Sequence, residues 1–379
     1  MLGPQPGATG PEGGPGPVGR RRPGLGTVLR MRSVTVVPLQ KDSAELTELP
    51  EPPEEDGPVL VATHAVGVCG TDLEIIEGDY GWAPPGETRL AIGHESLGRV
   101  LEAPDGCGFS AGDPVVAIVR RPDPVPCANC AAGEWDMCRN GQYTEWGIKA
   151  HHGYARERYR ITPDFLVKVD PALGDLGVLL EPTTVVAKAW DHIERIGKRA
   201  VWSPRKVLVT GAGPIGLLAA LLGVQRGYEV HVLDQVSEGL KPDLVGALGA
   251  TYHHGAVADA ASDADVVIEC TGVSQLVFDV MEATATDGIV CLTGVSSGGR
   301  SLPVDAGLLN RRLVLGNDVV FGSVNANRRH YEAGAAALSA ADRDWLARLV
   351  TRRVPLSSWK DAYTRQPGDV KTVLDFTAA

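Results

Sequence analysis

A two-domain α/β protein is predicted: an all-β domain of short strands first, then a doubly wound parallel sheet. Three observations carry this. The 379-residue chain is too long for one ordinary core. Up to about residue 185, β-type runs are broken by Pro and Gly ("PVLVATHAVGV", "LGRVLEA", "DPVVAIV", "FLVKVD"). Beyond it, apolar strands alternate with helical stretches, the pattern of a parallel sheet covered on both faces.

Residues 1–30 are half Gly and Pro, with too little apolar surface to offset their ordering entropy, and are expected to be disordered. "MRSVTVVPL", from Met31, opens the β region (31–185), whose strand spacing suggests a barrel-like domain with long functional loops. "EPTTVVAKAWDHIERIG" then places Val185, Ala189, Ile193 and Ile196 on one helical face. Strands at "KVLVTG", "EVHVLD", "DVVIECTG" and "GIVCLTG" alternate with helices at 214–226, near 238–248 and at 274–285, giving an α/β domain over 186–322. The apolar "GIVCLTGV" suits an exposed edge or an interior strand equally. A helical stretch and the strand-like "VKTVLDF" close the chain over 323–379.

A formal charge of −11 and a pI near 5.3 argue against nucleic-acid and anionic-membrane partners. The longest apolar run, "IGLLAALLGV", is about half a membrane span. Seven clustered cysteines suit metal ligands and free thiols better than a disulfide framework. No apolar stretch follows Arg20–Arg22 as a signal peptide requires, so a cytoplasmic protein is expected.

"VLVTGAGPIG" places Gly211, Gly213 and Gly216 in a G-x-G-x-x-G turn between strand and helix. Such glycines give a tight turn, backbone approach to a pyrophosphate and close helix–strand packing. Pro214 and Ile215 open the helix whose N-terminus offers free N–H groups to phosphates. Asp234 ends the next strand, where a carboxylate accepts bonds from the adenosine ribose; alternatively it only caps the next helix. A carboxylate there repels a 2′-phosphate and Gln235 adds no positive charge, so NAD is expected ahead of NADP.

"GVCGTD", "GHE" and "EP" supply Cys69, His94 and Glu181, the ligand types of a catalytic zinc with an open fourth position, and Glu95 is a nearby further carboxylate. Each also has a plain structural reading: a buried thiol, a core histidine, a helix-capping acid. Cys69 as a nucleophile would lack a base in its own stretch of sequence.

These motifs, with "GAGPIG", stand in the order and approximate separation of the zinc-dependent medium-chain dehydrogenase/reductase superfamily. The chain from about 31 to 379 resembles it. "GETRLAIGHESLG", "GIKAHHGY" and "FGSVNANRRHYEAG" resemble its glucose 1-dehydrogenase branch more narrowly. The resemblance implies a GroES-like β-barrel catalytic domain and a Rossmann domain, with the tail returning to the former. It implies zinc at Cys69, His94 and Glu181, with Glu95 at or just behind the metal. Asp72 would orient the histidine, and Thr71 would bond the substrate oxygen and start its proton relay. Glu74 would receive that proton or stay a solvated surface acid. Glu145 would contact sugar and Asn325 would lie near sugar and nicotinamide, or both would be ordinary polar loop residues; Thr271 would line the cofactor.

"DPVPCANCAAGEWDMC" resembles the superfamily's structural zinc lobe, with Cys127, Cys130 and Cys138 in place but Pro124 where the first cysteine belongs. Asp123, beside the gap, is the expected fourth ligand of an occupied Cys3Asp site; the alternative is a metal-free lobe held by packing alone. His151–His152 and His253–His254 have no nameable metal partners and read as solvated loop residues.

The implied activity is zinc-assisted hydride transfer from a sugar carbon to nicotinamide, giving a lactone at a pyranose C1. Alternatives are the same chemistry on a polyol, cyclitol or secondary alcohol, and a non-catalytic NAD sensor of the same fold. A homodimer or homotetramer is expected.

Overall fold

The structure, a computed structural model, describes residues 30–260, 263–296, 298 and 301–378. The stretch expected to be disordered lies, up to residue 29, outside them. Strands Arg30–Val36, Glu45–Pro50 and Leu90–Ala91 form a small antiparallel sheet. Beside it runs a seven-stranded sheet centred on Val59–Gly67, whose neighbours include Glu95–Glu102, Arg158–Ile161 and, from the far end of the chain, Lys371–Asp375. Val59, Val61 and Val66 alternate inward with Val100, Val115, Tyr159 and Leu166 to fill one core. The C-terminal strand thus closes the first domain, and it delivers Lys371 beside Glu95.

The sheet of the second domain has six parallel strands. Lys206–Thr210 is central, flanked by Glu229–Leu233 and Thr251–His253 on one side and by Ala264–Glu269, Thr284–Leu292 and Val319–Gly322 on the other. The resulting order, 3-2-1-4-5-6, is that of a Rossmann sheet and opens its ligand crevice at the switch point beside the first strand. Helix Pro214–Gln225 is apolar all round because it is buried all round, from Gly216 to Gly223. The long helix Leu180–Gly197 joins the two domains and packs against Arg328–Ser339, where Gly334 lets the backbones approach: a Cβ there would meet Leu180 Cδ1 at 3.1 Å. Among the described residues, no helix is long and apolar enough to cross a membrane.

Three expectations need correction or completion. "GIVCLTGV" is interior; the apolar edge strand is Val319–Gly322. The strand Thr251–His253 and the helix Ala306–Gly316, not anticipated, complete the domain. Of the paired histidines only His254 is an exposed loop residue as expected. His151 lies in a short strand with its ring stacked on Trp146 at 4.4 Å, and His152 Nδ1 accepts the Ala91 N–H. His253 is in a strand, 2.7 Å from His231. An imidazole offers both a stacking face and a single acceptor nitrogen, which a half-buried strand uses as readily as an aromatic.

Candidate active site and dinucleotide site

Cys69 is the N-cap of helix Gly70–Glu77, and its N–H donates to Asp72 Oδ2 at 2.9 Å, so the helix start itself fixes the thiol. The other oxygen of the buried Asp72 lies 3.3 Å from His94 Nδ1, which turns Nε2 outward. Cys69, His94 and Glu95 hold their donor atoms within 4.8 Å of one another. Burial pushes the His94 imidazole down, but Asp72 and the Cys69 thiol outweigh it and hold it well above its ordinary value. A thiol, an imidazole and a carboxylate converging in a buried pocket that favours positive charge fit a zinc ion.

Lys371 was not foreseen. It ion-pairs with Glu95 Oε2 and donates to Val68 O at 3.0 Å, and both side chains are buried. Its signal is a lysine inside the strand-like run "VKTVLDF". Glu181, in the first turn of the long helix, is buried close enough for its charge to be felt by His94 and Glu95, yet it is not in the three-donor set. Burial pushes its carboxyl up to about 7, against the pull of His94. Thr71 is half-buried in the turn after Cys69, and Glu74 is exposed one turn on.

At the dinucleotide motif Gly211 has φ of +88°, a left-handed conformation that suits glycine. A Cβ on Gly216 would strike Gly211 O at 1.7 Å, and one on Gly211 would meet Thr271 Cγ2 at 2.9 Å. A Cβ on Gly213 would point into open space, leaving a cradle for a phosphate. Gly213 caps the helix, Pro214 occupies its first turn and Ile215 follows. Asp234 Oδ2 accepts the Ala212 N–H at 2.6 Å and the Lys241 ammonium at 3.0 Å. The positive charge missing at Gln235 is therefore supplied by Lys241. The buried Glu269 ties the crevice loops together, accepting from Thr210 Oγ1 and the Thr271 and Gly272 N–H groups.

Glu145 ends up against the metal-binding segment because two glycines permit it: a Cβ on Gly147 or Gly153 would lie 2.4 or 2.3 Å from Gly93 O, one residue before His94. Glu145 Oε1 accepts from Arg120 Nε (3.0 Å), Arg120 NH2 (2.9 Å) and Asn325 Nδ2 (2.7 Å). The structure thus joins the two expected sugar-facing residues and adds Arg120, which also covers the Tyr143 ring at 3.8 Å. Asn325 has φ of +63°, a left-handed position that asparagine tolerates.

In the cysteine lobe, Cys127, Cys130 and Cys138 hold their sulfurs within 4.8 Å of one another. N–H groups of Arg139 and Cys130 lower the Cys127 thiol to about 6, and burial raises Cys130 to about 11. The Asp123 carboxylate does not join them. Its Oδ1 accepts the Val125 N–H, its Oδ2 is buried without a partner, and its backbone N–H faces Cys130 sulfur. Three converging thiols with one already acidified fit a zinc ion needing a fourth donor from elsewhere.

The barrel-like domain, the Rossmann crevice and the Cys–His–Glu set together define a zinc-dependent medium-chain dehydrogenase, an NAD(P)-linked oxidoreductase acting on CH–OH groups. Residues 55–171 match the alcohol dehydrogenase GroES-like domain, and residues 174–376 match the glucose dehydrogenase C-terminus. The chain belongs to the glucose 1-dehydrogenase branch of that superfamily. It is 40% identical to a glucose 1-dehydrogenase of Methanocella arvoryzae over 359 residues, covering 92% of this chain and 100% of that one. It is 39% identical to one from Thermoproteus tenax, covering 91% and 99%. The structure of Haloferax mediterranei glucose dehydrogenase in complex with NADP, zinc and gluconolactone superposes with a TM-score of 0.85 at 32% identity, over 92% of this chain and 100% of that one.

Proposed function

We propose that the protein oxidises the anomeric carbon of an aldose, D-glucose first, to the lactone, with NAD as the preferred acceptor. The observation that carries this reading is the convergence of Cys69, His94 and Glu95 beside an acid, Glu145, already oriented by Arg120 and Asn325. Zinc bound by Cys69, His94 and Glu95, with Glu181 at hand, supplies a Lewis acid that acidifies a sugar hydroxyl. Asp72 keeps His94 in the tautomer that leaves Nε2 free to ligate. Thr71 accepts the departing proton and passes it toward the exposed Glu74 and solvent. Glu145 keeps Oε2 for a sugar hydroxyl, since Oε1 is filled, and Asn325 fixes the depth of the ring. Gly211, Gly213 and Gly216, with Pro214, Ile215 and Thr271 beside them, seat the dinucleotide that takes the hydride.

Asp234 repels a 2′-phosphate while Lys241 offsets part of that repulsion. The preference for NAD is therefore about tenfold, the size of one partly screened charge contact. Domain limits near 185 and 322, with the tail returning to the first domain, go with this reading. So does a homodimer, alone or paired into a tetramer, through the edge strand Val319–Gly322. The adjoining helix Ala306–Gly316 exposes Leu308, Val314 and Leu315, an apolar face suited to a second copy. Seven free thiols suit the reducing cytoplasm.

The test is NADH formation at 340 nm with D-glucose, other aldoses and a panel of polyols and cyclitols, repeated with NADP and after chelation. Chelator-sensitive oxidation of aldoses, faster with NAD, is the expected result. Activity confined to polyols would keep the chemistry and overturn the substrate.

A further inference from the structure

Behind Glu145 and Asn325 lies a closed ring of polar contacts that no motif announces. Lys188 Nζ, on the long helix, lies 2.8 Å from Asp136 Oδ2. The Asp136 backbone oxygen accepts from Arg120 NH1 at 3.1 Å. Arg120 holds Glu145 Oε1, which also accepts from Asn325 Nδ2. The ring closes where Lys188 Nζ donates to Val324 O at 2.9 Å, the residue before Asn325. Lys188, Asp136, Arg120 and Glu145 are all buried, Lys188 to 1% exposure.

Asp136 also sits with His192 and His330 in a cluster of metal-ligand type. That cluster already holds its cation. Lys188 and Asn327 Nδ2 engage the two Asp136 oxygens, and His330 Nδ1 accepts the Asn327 N–H. A metal ion would have to displace an ammonium from a buried carboxylate.

Asp136 lies between Cys130 and Cys138, so the ring links the cysteine lobe and the interdomain helix to the two residues that face sugar. Asn325 has a left-handed backbone and one exposed neighbour, Val324; the Lys188 bond to Val324 O holds that turn between the Ser323 N–H bond to Leu292 O and the Ala326 N–H bond to Asn325 Oδ1. We propose that Lys188 is a positioning residue for the sugar: it fixes Asn325 through Val324 O and Glu145 through Asp136 and Arg120. This rests on the aldose reading above. A lysine with no reach to substrate then governs how tightly substrate binds.

The test uses the full-length, zinc-loaded enzyme carrying Lys188→Met, which keeps the stem and removes the ammonium. The KM for D-glucose should rise about tenfold with a smaller change in kcat, while the Kd for NADH, read by fluorescence, stays within about twofold. Amide hydrogen exchange over residues 323–327 should accelerate, and this arm needs no substrate. Lys188→Met leaves the Asp136 charge buried without its cation, only Asn327 Nδ2 remaining on its carboxylate, so Lys188→Met/Asp136→Leu is made beside it to recover stability. The melting temperature should return toward wild type in the double variant while KM stays high.

A Lys188→Met enzyme with wild-type KM and wild-type exchange overturns the proposal. So does a double variant whose KM recovers along with its melting temperature, since the effect was then stability alone. A wild-type enzyme that oxidises no aldose overturns the aldose reading instead, and the exchange arm decides the ring by itself.

Discussion

The donors around Cys69 come from segments far apart in the chain: a helix start at 69, a strand start at 94–95, a helix turn at 181 and a lysine at 371. The three thiols of the lobe lie within residues 127–138 and are shaped by their own backbone N–H groups. The first set exists only when both ends of the chain have docked, because Lys371 reaches Glu95 from the last strand. The second is built from local turns. A site assembled over long range puts its folding energy at the service of chemistry, whereas a local site holds a loop. Here the local site also reaches chemistry, because Glu134 and Asp136 between its cysteines grip Arg329, Asn327 and Lys188.

The sharpest way to break this contrast is at Cys69. Cys69→Ser should lower kcat by roughly a thousandfold or more, the loss of several kcal/mol of charge stabilisation, while the melting temperature changes little. Metal analysis alongside the kinetics checks it, and a large fall in stability with activity retained would reverse the roles of the two regions. Cys138→Ser is the converse. It should remove one zinc per chain and cost about 2–4 kcal/mol in denaturant unfolding, with kcat reduced far less than by Cys69→Ser.

The smallest effect belongs to pH. Burial pushes the His330 imidazole down to about 4 despite the nearby Asp136 and Asp191, with Arg329 reinforcing the shift. Its folded value is below its unfolded one. Its neutral form therefore contributes stability that is full above about pH 6.5 and is lost as pH falls toward 4, by on the order of 2–3 kcal/mol. His330→Gln should flatten the melting-temperature profile across that window, and an unchanged slope would place the titration elsewhere.

Legibility followed the range of the interaction. The G-x-G-x-x-G turn, its strand and its helix were readable because each glycine answers a local requirement within a few residues. Cys69, His94 and Asp72 were recognisable as family motifs, yet their convergence with Lys371 depends on pairing across some three hundred residues that no local pattern encodes. Asp123 shows the opposite case. Its loop offers the Val125 N–H two residues away, and that local bond holds one oxygen of the carboxylate expected at the thiols, while the other is buried without a partner. Arg120 and Lys188 carried a faint signal, a basic residue set in an apolar run, "AIVRR" and "TTVVAKAW". Such a residue announces a buried partner without naming it.

The long helix Leu180–Gly197 sets Glu181 near His94 and Glu95 and, seven residues later, Lys188 against the ring of Asp136, Arg120 and Glu145. Seven residues are about two turns and about 10 Å of rise, so both side chains leave one face. The helix is a rigid gauge between acidification and grip. One residue inserted between them would rotate Lys188 by about 100° out of register, and the ring could not follow. On the proposed aldose reading, transplanting the sugar site to another dehydrogenase means moving the whole rod, with both of its contacts, rather than the pocket residues alone.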